Sequence, residues 1–114
     1  MTQVDEREVS RILTLDEEAQ FALLGEQLSA GASNLSRRIL AAIGRAWLDE
    51  NLPKMRAAIC GSESIKKAKS DRSRSTETLV SAVADAIAPF VHVPSLATVA
   101  VLLVNYGIDK ICPN

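Results

Sequence analysis

The sequence predicts an all-α fold. Sixteen Ala and thirteen Leu dominate the apolar residues of the 114-residue chain, and both are strong helix formers. Apolar residues recur three and four positions apart, which is the spacing of one helix face. Candidate caps and breakers stand at the ends of those segments. A chain of this length buries roughly two-thirds of the surface its unfolded form exposes, enough for one core without metal or disulfides. The expectation is a single helical domain over 1–114, with a polar connector at about 62–78. Its architecture is a small bundle of four main helices, with a short N-terminal helix and an apolar C-terminal helical hairpin.

Val9, Ile12 and Leu13 share a face, so a short first helix is expected from about 4 to 13, behind an acidic first turn. Thr14 and Glu17 stand in capping-box spacing, which places a second helix over about 15–29 with Phe21, Leu24 and Leu28 as its stripe and Leu23 beside it. The small and turn-forming residues 29–34 end it. Ser33 or Asn34 then caps a third helix. Its apolar positions Leu35, Ile39, Ile43, Ala46 and Trp47 give the clearest 3.6-residue period in the chain. Pro53 predicts a stop or kink near Asn51, with Leu52, Met55, Ile59 and Cys60 facing inward on a continuation to Gly61.

From Ser62 to Thr78 only Ile65 and Ala68 are apolar. So little to bury does not offset the entropy of ordering, and a mobile connector or solvated helical extension is expected. Thr76 or Thr78 caps the next helix, which runs to about Ala88 with Leu79, Val80, Val83 and Ile87 on one side; Pro89 ends it. Residues 86–108 carry no formal charge. Pro89 and Pro94 divide that run, leaving Ser95 to cap a helix over about 96–111 that is apolar nearly all round and therefore central. Leu96, Val99, Leu103 and Tyr106 are placed on one of its faces.

Thirteen basic and fourteen acidic residues leave a net charge of −1, so no global field draws in nucleic acid or an anionic membrane. The charged N-terminus lacks the pattern of a secretory signal, which makes the cytoplasm the expected compartment and reduced, buried thiols the expected state of Cys60 and Cys112, with a single disulfide between them as the alternative that spacing leaves open. Catalytic patterns are missing. His92 is the single imidazole and has no carboxylate or Ser at an orienting spacing. One His and two Cys do not make a zinc pattern, and no phosphate-binding, dinucleotide or nucleophile-elbow glycine motif occurs. Cys60 stands at a predicted helix C-terminus, where a thiolate is disfavoured, and Asp85 has no second acid or base nearby in sequence.

The functional expectation is therefore a non-enzymatic interaction module without cofactor or metal, a small subunit or adaptor that docks on a larger protein or self-associates. Its interface candidates are Trp47, Leu79, Val83, Ile87, Leu96, Val99, Leu103 and Tyr106. Trp47 reads either as core or as an interface anchor. Two alternatives follow from local features. The 79–111 hairpin could insert into a membrane, against which Asp85, Asn105 and two prolines weigh. Lys66, Lys67, Lys69, Arg72 and Arg74 could contact nucleic-acid phosphates or an acidic partner, but no aromatic lies among them for base stacking.

Overall fold

A computed structural model describes residues 5–29, 34–70, 76–90 and 95–112. Those residues form an all-α structure without strands. Seven helices follow one another: α1 (Glu6–Leu13), α2 (Glu17–Leu28), α3 (Arg37–Cys60), α4 (Glu63–Ser70), α5 (Thr76–Ile87), α6 (Leu96–Tyr106) and α7 (Ile108–Ile111). At 1.5 Å per residue the 24-residue α3 is about 36 Å long, the longest of the described helices.

Caps fix the helix starts, and several differ from the sequence reading. Thr14 does not begin α2. It closes α1, its hydroxyl donating to the Arg11 carbonyl at 2.6 Å. Asp16 is the N-cap instead, with Oδ1 accepting from the Ala19 N–H at 2.7 Å; a carboxylate there also meets the positive end of the helix dipole. For α3 the cap is Ser36, neither Ser33 nor Asn34, so Leu35 lies outside the helix. Ser95 caps α6 as the sequence predicts, accepting from the Thr98 N–H.

Pro53 does not stop α3. A mid-helix proline costs about 3 kcal/mol, but Met55 and Ile59 beyond it are fully buried, and each such side chain contributes roughly 1.5–3 kcal/mol. Asn51 supplies a local donor, its Nδ2 lying 2.9 Å from the Trp47 carbonyl. The predicted connector is likewise helical over 63–70. Ser62 caps α4 through the Ile65 N–H, and Ile65 and Ala68, the two apolar residues of the segment, are the ones buried. Two well-placed side chains suffice to dock α4 on α5.

The core centres on α6, which packs against α1, α2, α5 and α7. Every residue from Ala97 to Leu103 is buried. Beyond Tyr106 the predicted single helix breaks, because Gly107 takes a φ of +109°, a conformation that L side chains rarely adopt. The break turns Ile108 and Ile111 into the core and carries Cys112 to the end of α3. There Cys60 and Cys112 form a disulfide with their Cα atoms 5.7 Å apart, well within bridging range. The expectation of two reduced thiols is corrected in favour of the alternative pairing that the spacing left open; the Gly107 turn is what brings the two residues together.

One buried polar group ties these elements. Gln20 is 2% exposed. Its Nε2 donates to the Ile12 and Leu15 carbonyls, and its Oε1 accepts from Asn105 Nδ2 at 2.8 Å. The end of α1, the start of α2 and the end of α6 thus share one satisfied amide.

Candidate interaction face

The helix α3 has two apolar sides. One is Ala41, Gly44, Leu48, Met55 and Ile59, all buried. On the α2 side the approach is so close that a Cβ on Gly44 would collide with the Phe21 carbonyl, and one on Gly25 with the Leu40 carbonyl. Glycine is required there because backbone meets backbone. Arg37 reinforces the contact, reaching Asp16 at 2.7 Å and Glu18 at 3.4 Å. Arg45 reaches Glu17 at 3.3 Å and lies 4.4 Å over the Phe21 ring. The Ala19 N–H, followed by the Arg37 guanidinium, holds the Asp16 carboxyl below its ordinary range.

The second side is the stripe of clearest periodicity. Counting 100° per residue, Ile39, Ile43 and Ala46 lie roughly half a turn around α3 from Ala41, Gly44 and Leu48, with Trp47 at their margin. The structure leaves this stripe open: Ile39 is 49% exposed, Ala42 and Ala46 are exposed, and Ile43 and Trp47 are half-buried. Only Trp47 of these packs against the edge of the core. The strongest periodic signal in the sequence therefore marks the outer face, not the core face. Met55 and Ile59 face inward as expected; the first half of the core face was missed because Ala41 and Gly44 carry almost no hydrophobic signal and work by permitting contact.

A groove of about 480 Å³ between α2 and the start of α3 is lined by Leu15, Leu23, Leu35 and Leu40 together with Glu26 and Arg37. On the opposite flank Arg38 and Asp49 are exposed, and neither makes an ion pair among the described residues.

The other predicted positions are scattered. Val83, Ile87, Val99 and Leu103 are buried against the chain's own helices; Leu79 and Leu96 are half-buried; Tyr106, predicted on the buried face of its helix, is 46% exposed. Of the basic cluster, Lys66 and Lys67 are exposed on α4, with Lys66 3.9 Å from Glu63. Lys69 falls within α4, while Arg72, Arg74 and His92 lie outside the described residues. Asp85 is exposed on α5.

A smaller cleft of about 260 Å³ is lined by Glu17, Gln20, Phe21, Leu102, Asn105, Tyr106 and Lys110. The hydrogen-bonding capacity of Gln20 is already engaged by the Ile12 and Leu15 carbonyls and Asn105. Among the described residues no group of three or more His, Cys, Asp or Glu is arranged to hold a metal ion, and no described helix is long and apolar enough to cross a membrane. The chain matches no known family, no curated protein and no solved structure.

Proposed function

We propose that the protein is a non-enzymatic helical interaction module whose docking surface is the outer side of α3. One observation carries this reading: Ile39, Ile43, Ala46 and Trp47 repeat at helical spacing on a side of α3 where Ile39 and Ala46 are exposed and Ile43 and Trp47 only half-buried. A clustered apolar surface marks an interaction site where scattered exposed residues do not. Trp47 supplies the large, partly desolvated side chain typical of an interface anchor. The hairpin residues Val83, Ile87, Val99 and Leu103 are spent on the core, so α3 supports docking better than α5 and α6 do.

The test is substitution on the open side with the fold monitored independently. Ile39→Glu should leave the far-ultraviolet circular dichroism and thermal midpoint unchanged while abolishing association, whether with a co-purifying protein or with itself. Association that survives Ile39→Glu and Ile43→Glu together would overturn the reading. The Cys60–Cys112 disulfide makes the expected cytoplasmic residence a test of its own, because lasting disulfides belong to oxidising compartments. Alkylation of the protein in intact cells should find Cys60 and Cys112 reactive if it resides in the cytoplasm and protected if it does not.

A further inference from the structure

We infer that the Cys60–Cys112 disulfide is a redox latch: while the bond is closed α7 is held on its seat, and reduction frees α7 to swing out from Gly107 and uncover that seat. The inference is independent of the docking reading, since Cys60 lies about 20 Å along α3 from Trp47. Its ground is the way α7 is held. The bond fastens Cys112 to the last residue of α3, and Gly107 joins the other end of α7 to α6. A single helical turn fixed at both ends has no room to leave. Cut at the sulfur atoms, it hangs by Gly107 alone, and the freedom of glycine at positive and negative φ makes that residue a ready hinge.

Little else holds α7. Its four residues are far below the length of about 12–15 at which a helix persists on its own. The backbone N–H groups of Lys110, Ile111 and Cys112 donate to the carbonyls of Gly107 and Ile108, so these bonds tie the segment to itself and to no neighbour. Gly107 offers no side-chain cap. The contrast is α4, which also docks through two buried apolar side chains but has eight residues and the Ser62 cap. What α7 contributes to the core is Ile108 and Ile111, buried where it packs on both α6 and α3. Once they leave, an apolar seat between those two helices is uncovered. Both cysteines are half-buried, so neither is sealed in the core. The reductant is a dithiol. One of its thiolates attacks one sulfur of the bond, the other sulfur leaves, and the second thiol of the reagent resolves the mixed disulfide. Cys60 and Cys112 end as thiols, having taken up two electrons and two protons, and the dithiol ends as its own disulfide.

Amide hydrogen exchange on the full chain, read residue by residue by NMR, tests the latch. In the air-oxidised protein no free thiol should titrate, and the Ile111 and Cys112 amides should be protected. Addition of dithiothreitol should speed exchange at both by about tenfold or more while the α6 amides from Val99 to Leu103 change by less than about twofold. Reoxidation should restore the protection. Cys112→Ser should exchange at Ile111 as the reduced wild type does, with or without the dithiol. Exchange at Ile111 and Cys112 that is unchanged by reduction would overturn the inference, because the two isoleucines would then seat α7 by themselves. Loss of protection throughout α6 would overturn it as well, since the bond would be a staple for the whole fold and not a local latch. Two titratable thiols in the air-oxidised chain would remove its premise.

Discussion

Both α3 and α6 carry apolar residues on more than one side, yet only α6 is enclosed. Four helices surround α6, and its residues from Ala97 to Leu103 have almost no solvent contact. The first half of α3 is covered on one side by α2 and left bare on the other. Hydrophobic patterning specifies that a surface will be covered; it does not specify by which chain. What separates the two helices is where the rest of the polypeptide can reach. The Gly107 turn folds α7 back alongside α6, whereas on the outer side of α3 Ile39 and Ala46 stay exposed and Ile43 and Trp47 are covered only in part.

The largest effect that should separate these regions lies in α6. Leu103→Ala, at a fully buried position, should cost about 2–5 kcal/mol in a denaturant titration, through lost transfer energy and the cavity left behind. Destabilisation of less than about 1 kcal/mol would show that α6 is not the packed centre.

On the inner side of α3, Gly44→Ala forces a methyl group into the Phe21 carbonyl and should destabilise by about 1–3 kcal/mol. That outcome opposes the helix propensity of alanine, which alone would stabilise by about 1 kcal/mol. The sign of the change thus reports whether α2 and α3 meet at this residue.

A smaller, pH-dependent effect comes from Asp16, which caps α2 and holds Arg37. Its pKa is lowered below the ordinary 3.8 in the folded chain. Its contribution to stability is therefore fully present above the unfolded value and is lost as pH falls through the lowered one. Asp16→Asn keeps a capping side chain but not the charge. Thermal midpoints measured from pH 6 down to pH 2 should fall less steeply for that variant than for wild type.

The smallest effect belongs to the outer side of α3. At concentrations low enough to hold the chain monomeric, Ile39→Ser should alter stability by no more than about 0.5 kcal/mol. A cost near that of Leu103→Ala would mean that Ile39 is covered by the chain itself, and the contrast between the two helices would disappear.

The parts of this architecture legible in the sequence are those written by side chains that change solvation. Val9 and Ile12, the Ser95 cap, and the central place of α6 all follow from period and capping chemistry, as does the all-α class. What escaped is written by residues whose role is steric or polar. Gly25 and Gly44 mark the closest helix contact, yet in sequence they read only as weak points in helices. Gln20 reads as a surface residue until the Ile12 carbonyl and Asn105 are found on either side of it. The continuation of α3 through Pro53 depends on burial of Met55 and Ile59, a tertiary fact. For the candidate face, the residues themselves were visible, because Ile39, Ile43 and Trp47 are strongly periodic. Their outward direction was not, since the side opposite them is built from Ala41 and Gly44, which the pattern underweights.

The Cys60–Cys112 bond also divides the molecule mechanically. Its sequence separation of 52 residues places α4, α5, α6 and α7 inside one covalent ring, with α1, α2 and nearly all of α3 outside it. Tension applied between points on either side of the ring passes through the two sulfur atoms and bypasses the enclosed helices. Stretching can then unravel α1, α2 and α3, while the ringed helices carry no load. Reduction removes that shortcut and adds roughly 180 Å of extendable chain at about 3.5 Å per residue, so a single-molecule force trace of the reduced protein should be longer by about that length.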